Sequence, residues 1–399
     1  MNDHVVEKHK ALSGIAQGDQ WTTWTVQKAL PLWARAGYDR KRHLYHERLT
    51  FDAAPIEMPD LRVMVQARQI ATFCRAALDG VFDASHDALA CLSEVQGRYW
   101  RSDDQPGWVF ALGPDGRPSK TTRDLYAHAF ILFAYAWAYR LSGDRKLIEV
   151  VNETISEIEN IFQAPGGGFW DAVPAPDNIR RQNPHMHLLE AYLVLFEVTE
   201  DQFYMEKAQQ LITLAREKFI SSGSGMLLEF FDTDWTPCKA LGHNSVEPGH
   251  LFEWSWLLGE ATRLNPEEND HEGMCSTVER LFAAGVQYGI LNGLVCDSIT
   301  DRGTMAQMST RIWPQTELMR LLMCRKKMSV KNPLNRQEDD LLFSVTKKFF
   351  AEYAPETLQG GWIDRRAADG TITVDHMPAS SLYHIYGSAR EFFRPTGRL

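Results

Sequence analysis

A recurring turn signal limits what this chain can fold into more than any other feature. Glycine, an aromatic or apolar residue and an acidic residue come together six times. The places are Gly37-Tyr38-Asp39, Gly107-Trp108 to Asp115-Gly116, Gly167-Gly168-Phe169-Trp170-Asp171, Gly225-Met226 to Asp232, Gly293 to Asp297 and Gly360-Gly361-Trp362-Ile363-Asp364. A spacing of roughly 60–70 residues is that of a repeated supersecondary unit. Each interval holds two stretches with apolar residues at helical period. These are Asp60–Leu78 and Val81–Glu94, Thr122–Leu141 and Asp144–Phe162, Pro184–Val198 and Asp201–Phe219, Glu247–Leu264 and Glu272–Tyr288, and Arg311–Met323 and Gln337–Tyr353. Ala379–Phe393 follows the last turn, and its partner is the N-terminal helix Gly18–Ala36.

Six helix pairs either stack as an open solenoid or close into a ring. The terminal helices of a solenoid need polar outer faces. Here Trp21, Trp24, Leu30 and Trp33 at one end, and Ile385, Phe392 and Phe393 at the other, are apolar and favour closure. The pattern predicts an all-α (α/α)6 barrel with short β-hairpins at one mouth, residues 1–399 forming a single catalytic domain. Asn265–Gly273 and the basic stretch Arg325–Arg336 read as surface loops.

Composition narrows the function classes. With 44% hydrophobic and 24% charged residues the chain reads as a soluble globular protein. A formal net charge of −10 argues against a nucleic-acid surface and a polyanionic substrate. The charged N-terminus lacks the apolar run of a secretion signal, and no window approaches the ~18 apolar residues of a membrane span. The 6 cysteines are dispersed without a Cys-x-x-Cys, pointing to reduced thiols and a cytoplasmic location.

Loops on a rigid scaffold are where function concentrates, so the junctions between hairpins and the following helices carry the chemistry. Three share a composition: Arg181-Gln-Asn-Pro-His-Met-His-Leu-Leu-Glu190, Glu247-Pro-Gly-His-Leu-Phe-Glu253 and Met377-Pro-Ala-Ser-Ser-Leu-Tyr-His384. Each places a proline near a helix start, where its missing N–H costs nothing, and a histidine about a turn inside. His187/Glu190 and His250/Glu253 are three residues apart and share a face. A further junction reads Arg311-Ile-Trp-Pro-Gln-Thr-Glu317.

Three chemistries compete for these residues. His-x-x-Glu spacing permits a metal, but His185 and His187 cannot both face one ion from a regular helix, and no His-Glu-x-x-His is present. An inverting glycoside hydrolase needs two opposed carboxylates, which Glu253, Glu317 and Asp364 offer, but it leaves the recurring histidines surplus. Proton transfer at a carbon beside a carbonyl uses a base that both takes and returns a proton, and histidine, with an unperturbed pKa of ~6.5, suits both directions. This third chemistry uses more of the residues than either rival.

The four motifs Asn183-Pro-His-Met-His-Leu-Leu-Glu-Ala191, Glu247-Pro-Gly-His-Leu-Phe-Glu-Trp254, Trp313-Pro-Gln-Thr-Glu317 and Met377-Pro-Ala-Ser-Ser-Leu-Tyr-His384 resemble those of the N-acylglucosamine 2-epimerase superfamily, and within it most resemble the mannose isomerase (aldose–ketose isomerase) branch. The resemblance runs through nearly the whole chain in the same order. It implies an (α/α)6 barrel and a sugar isomerase that uses neither metal nor cofactor. His250 and His384 match the family's catalytic histidines. Arg68, Tyr126, Asn183, His187, Glu253, Trp313 and Glu317 match its substrate-binding positions. The implied substrate is a neutral monosaccharide, with D-mannose–D-fructose interconversion first and D-lyxose–D-xylulose as a further pair. Sugar 2-epimerisation is the close alternative. Neither nucleic acid nor membrane is expected as a partner, and the chain is expected to be a monomer or homodimer.

The remaining candidates have plainer readings. An arginine at position 68, among Val63, Val65, Ile70 and Phe73, is costly to bury unless a polar pocket receives it. Trp108 and Trp362 read as hairpin core, and His43, His46, His86 and His271 as surface.

Overall fold

A computed structural model describes residues 18–267, 270–328 and 336–393. Its helices form six pairs. In chain order they are α1 (18–35), α2 (Val63–Leu78), α3 (Ser85–Tyr99), α4 (Leu125–Ser142), α5 (Lys146–Ile161), α6 (Asn183–Thr199), α7 (Gln202–Leu214), α8 (Pro248–Leu264), α9 (His271–Gly289), α10 (Ile312–Met328), α11 (Arg336–Glu352) and α12 (Leu382–Phe393). Every expected helix is present, with ends within a few residues of the sequence reading. The largest shift is in α3, which starts at Ser85 because the Asp83 carboxylate accepts from the Ser85 N–H at 2.9 Å and its hydroxyl at 2.6 Å. The basic stretch expected as a loop is helical through Met328, residues 329–335 lie outside the described residues, and His271–Gly273 opens α9. In α1, Pro31 cannot donate to the preceding turn, and the ladder widens to a π segment over Thr25–Ala29.

Two kinds of helix alternate. The even-numbered helices are buried nearly all round; in α4 every residue from Ala127 to Ala138 is buried. The odd-numbered ones bury one stripe, as α5 does with Val150, Val151, Thr154, Ile155, Glu157 and Ile158. The even helices therefore lie inside. Each packs on the next from α2 through α4, α6, α8 and α10 to α12, and α12 packs back on α2. Trp21 on α1 stacks on Phe349 of α11 and Phe392 of α12, with ring centroids 4.7 and 5.3 Å apart, so the two chain ends share one aromatic cluster.

Backbone pairing follows the same circuit. Leu61–Arg62 pairs with Ala111–Leu112, Arg123–Asp124 with Ala172–Val173, Arg180–Arg181 with Phe230–Phe231, Ser245–Val246 with Ser298–Thr300, and Thr310–Arg311 with Arg365–Arg366, all antiparallel. The circuit returns through His376–Pro378, paired with Arg48–Thr50. Each outer helix also ends in one repeated bond: Val109 N–H to Tyr99 O, Trp170 to Phe162, Leu228 to Phe219, Cys296 to Gly289, Ile363 to Tyr353 and His46 to Gly37, all at 2.7–2.9 Å. These are the six glycine turns of the sequence. The last bond also corrects one expectation, since His46 lies inside its hairpin and is buried.

The turns are latched to the inner helices by polar side chains. Gln66 exchanges two bonds with the Tyr45 backbone, and Gln315 does the same with Val295. His128 accepts the Trp108 N–H at 3.1 Å while its Nδ1–H donates to Asp124 O at 2.7 Å. His185 repeats this with the Phe169 N–H at 3.0 Å and Arg181 O at 3.1 Å. Gly107 and Gly168 hold positive φ under these rings, and a Cβ at either would meet the histidine Nε2 at 3.0 Å. Trp108 and Trp362 are fully buried, as expected of hairpin core. No helix among the described residues is long and apolar enough to cross a membrane.

Candidate active site

The hairpin-to-helix junctions gather the expected residues in one place at the start of the inner helices. Arg68 on α2 donates from Nη2 to the Tyr126 hydroxyl of α4 and from Nη1 to Ser380 O at 3.1 Å. Its guanidinium lies over the rings of Phe130 and Tyr383 at 4.1 and 5.0 Å. Tyr126 in turn packs edge-on against His187, 4.8 Å between centroids. Trp313, opening α10, packs against both His250 (5.0 Å) and His384 (5.5 Å). Asn183, half-buried at the start of α6, has an Oδ1 with no partner in the chain. All nine sequence-derived residues thus lie at neighbouring inner-helix starts.

Three imidazoles are each held at Nδ1 by a carboxylate. His384 Nδ1 lies 2.7 Å from Glu317 Oε1, His250 Nδ1 is 3.0 Å from Glu229 Oε2, and His187 Nδ1 is 3.3 Å from Glu190 Oε2. A carboxylate accepts, so Nδ1 carries the proton and Nε2 is left as the working nitrogen. Glu229 is fixed by a second donor, Gln182 Nε2 at 2.8 Å, whose Oε1 accepts from Trp254 Nε1 at 2.6 Å. Glu190 accepts from the Tyr383 hydroxyl. Glu317 and Glu190 both face Arg320 Nη1, at 3.5 and 3.9 Å.

The surroundings push the two central histidines apart. Burial holds His384 well below the ordinary imidazole value, aided by the Arg68 guanidinium, so it is neutral. His250 is raised despite the burial that opposes it, because the Glu229 and Glu247 carboxylates stabilise its charged form. Burial brings His187 down to about 4, while Glu190 is held down at about 2 against its own burial by His187, Arg320 and Tyr383. Glu253 goes the other way. Burial pushes it well above the carboxylate range, with Glu317 and Glu190 beside it adding to the shift, and neither of its oxygens has a partner in the chain. Its 3.9 Å approach to His187 Nδ1 is therefore between two neutral groups and not an ion pair. A buried neutral acid with free oxygens is a proton donor waiting for an acceptor.

Sequence reasoning did not place Glu229, Gln182, Arg320 or Tyr383 here, and left Glu190 as the helical neighbour of His187. Glu229 lies in the hairpin, in an extended stretch with no periodicity to link it to His250. Asp364, considered above as a carboxylate for hydrolysis, accepts from the Ser381 hydroxyl at 2.5 Å and from the Ile312 N–H at its carbonyl.

The groups His187–Glu190–Glu253, Glu229–Glu247–His250 and Glu253–Glu317–His384 each bring their ligand atoms within 4.8 Å, near enough to hold a metal ion. However, each imidazole's Nδ1 is already committed to a carboxylate, and Arg320 supplies positive charge beside Glu190 and Glu317.

Residues 45–388 match the N-acylglucosamine 2-epimerase (GlcNAc 2-epimerase) family. The chain belongs to this family. It is 30% identical over 383 residues to the mannose-6-phosphate isomerase of Rhizobium meliloti (strain 1021), covering 92% of this chain and 95% of that one. It is 26% identical over 294 residues to the D-mannose isomerase of Thermobifida fusca, covering 67% of this chain and 70% of the other. The solved structure of the cellobiose 2-epimerase from Bacillus thermoamylovorans B4167 shares the fold at a TM-score of 0.81 and 20% identity, covering 94% and 98% of the two chains.

Proposed function

We propose that this protein is an aldose–ketose isomerase interconverting D-mannose and D-fructose, with D-lyxose and D-xylulose as a further pair, and that its circuit of six helix pairs is a single (α/α)6-barrel catalytic domain acting without metal or cofactor. The observation that carries the reading is the pair His384 and His250. Both pack on Trp313, both are tied at Nδ1, and their surroundings make one a neutral base and the other an acid.

In this reading the open-chain aldose lies with C1 and C2 beside Trp313. His384 Nε2 takes the C2 proton as the C1=O electron pair moves onto O1, giving a cis-enediol(ate). O1 takes the proton of the His250 imidazolium, and Arg68 stabilises the developing charge, a contribution of ~3 kcal/mol per donor. In the return step O2–H gives up its proton to His250 or through Glu253, the C2 carbonyl forms, and C1 recovers the proton from His384. Tyr126, Asn183, His187 and Glu317 hold the hydroxyls and the orientation of the bases.

The named isomerase relatives support isomerisation. A neutral sugar is supported by the arginines before the inner helices, which are already engaged: Arg62 with Glu47, Arg123 with Asp103, Arg181 with Asp171 and Asp177, and Arg311 with Asp297 and Glu247. The second reading is sugar 2-epimerisation of a glucose, cellobiose or N-acylglucosamine type. What favours it is that an imidazolium at His250 has a proton to give to carbon as well as to oxygen.

The test is incubation with mannose in D₂O containing EDTA, followed by NMR. Fructose carrying solvent deuterium is expected. Glucose without fructose would replace isomerisation by epimerisation. Turnover of mannose 6-phosphate alone would overturn the neutral substrate, and loss of activity in EDTA with recovery on adding a divalent cation would overturn the metal-free mechanism.

A further inference from the structure

The inner helices carry a second polar cluster below the site, and of its residues only Arg320, which faces Glu190 and Glu317, enters the chemistry above. Arg75 lies seven residues after Arg68 on α2, Arg320 three after Glu317 on α10, and Ser388 four after His384 on α12. These spacings place each one to two turns deeper on the same helix face as a site residue. All three are buried, Arg75 and Arg320 at 3% exposure and Ser388 at 0%. Nε and Nη1 of Arg75, Nε of Arg320 and the Ser388 hydroxyl have no hydrogen-bond partner in the chain.

The nearby carboxylates are already engaged, two of them by Arg320 itself. Asp79 takes Arg390 through two bonds at 2.6 and 2.8 Å and also accepts from the Tyr386 hydroxyl at 2.7 Å. Glu391 takes Lys327 at 2.7 Å, and Glu190 and Glu317 face Arg320. Arg75 has no carboxylate within ion-pair distance among the described residues. It is walled by the rings of Trp137, Tyr386 and Phe133, at 5.1, 5.7 and 5.9 Å from its guanidinium carbon. Gly387 brings α12 to within 3.6 Å of the Arg320 guanidinium from the position of a would-be Cβ, and Ser388 follows directly. Burial, with Arg390 and Arg320 as neighbouring positive charges, lowers Arg75 to about 10. Tyr386 and Asp79 oppose the shift without closing an ion pair with it, and a buried cation lacking a direct partner is expensive.

We propose that Arg75, Arg320 and Ser388 form a binding site for a small monovalent anion of the chloride type at the base of the inner helices. The groups on offer are Nε and Nη1 of Arg75, Nε of Arg320, whose guanidinium also stacks on Trp256 at 3.3 Å, and the Ser388 hydroxyl. A ligand that only accepts satisfies all of them. The aromatic walls favour a weakly hydrated monovalent ion over sulfate or phosphate, whose extra charge they leave uncompensated.

The experiment is thermal unfolding of the full chain against sodium chloride, with ionic strength held constant by sodium gluconate. A ligand that binds only the folded state raises the midpoint with the logarithm of its concentration. About 3–5 °C is expected at one hundred times the half-saturating chloride. Arg75→Met keeps the packing volume and removes the charge. It should melt at or above the wild-type midpoint without chloride and show no chloride response, while Ser388→Ala should raise the half-saturating concentration about tenfold. A wild-type midpoint indifferent to chloride, or an Arg75→Met protein with the same response as wild type, would overturn the site. Should Arg75→Met fail to fold, wild-type crystals grown in bromide decide the matter. An anomalous peak within hydrogen-bond reach of Arg75 and Ser388 supports the proposal, and the absence of one there overturns it.

Discussion

His384 Nδ1 lies 2.7 Å from Glu317 Oε1, a carboxylate brought from the neighbouring inner helix, and the contact fixes which imidazole nitrogen faces the site. Burial raises the Glu317 carboxyl to about 7, and Arg320, 3.5 Å from its other oxygen, opposes that shift and favours the accepting carboxylate. Glu317→Gln keeps the shape but offers an amide N–H to Nδ1, which moves the ring proton to Nε2 and removes the base. We expect kcat to fall about 10³–10⁴-fold, as when a catalytic histidine is left in the wrong tautomer, with KM changed by only a few fold. Circular dichroism melting should show a folded protein. A kcat within tenfold of wild type would remove Glu317 from the mechanism.

The opposed shifts of the two histidines give kcat/KM a bell-shaped pH profile. His384 must be neutral to take a proton. Its pKa is lowered, so activity is lost only as pH falls well below the ordinary imidazole value. His250 must be protonated. Its pKa is raised, so activity is lost as pH rises above that value. Glu229→Gln removes a carboxylate that holds the raised value, and the alkaline limb should move to lower pH while the acid limb stays. Movement of the acid limb instead would exchange the two histidines' roles.

Arg68 reaches the site from a buried helix face and keeps a buried Nε without a partner in the chain. Arg68→Met should lower kcat/KM about 10²–10³-fold, the cost of one oxyanion donor. Arg68→Lys should recover little, because a single ammonium cannot span Tyr126 and Ser380 as the planar guanidinium does. Initial rates with mannose check both, and full activity in Arg68→Lys would reduce the role of Arg68 to charge alone.

What the sequence made legible is what local physics encodes. Glycine turns such as Gly107 and Gly168 need positive φ, and the helices carry their period in a few consecutive residues, so all six turns and all twelve helices could be located. His250, Glu253, His187 and Glu317 were found because prolines mark helix starts and a three-residue spacing marks a face. Glu229 was not, because an extended segment 21 residues from His250 shares no period with it. Histidine a turn inside a helix also proved to mean two things. His128 and His185 latch hairpin N–H groups, whereas His187, two residues after His185, looks into the site, and only the partner across the chain separates these roles.

The buried histidines predict acid lability. His128, His185 and His187 are held by burial at about 4, 3 and 4, against an ordinary value near 6.5. Between those limits the unfolded chain binds more protons than the folded one, so stability falls as pH falls through the window from about 6.5 to about 4. Each histidine contributes a slope of about 1.4 kcal/mol per pH unit there. Urea titrations at pH 7, 6 and 5 should show the midpoint falling steeply over this range. His185→Gln, which can still accept the Phe169 N–H, should be less stable at pH 7 but less sensitive to acid. A flat profile would mean these rings take up protons as readily in the folded protein as in the unfolded chain.

Gly249 separates the roles of packing and chemistry most sharply. It sits in the first turn of α8, immediately before His250, where helix propensity alone would favour alanine by about 1 kcal/mol. A Cβ there would lie 2.5 Å from the Trp313 ring and 3.0 Å from Pro314. The indole is rigid, and Pro314 fixes the backbone behind it, so the ring must tilt away from the methyl. Trp313 is the surface on which His250 and His384 both pack, and a tilt of that ring alters the spacing of the two bases about the substrate. Misplacement of about 1 Å is enough to cost about 10²-fold in rate. We therefore expect Gly249→Ala to keep its melting temperature within a few degrees and to lose kcat about 10–100-fold, with both limbs of the pH profile retained. Wild-type kcat in Gly249→Ala would show that Trp313 serves only to cover the sugar.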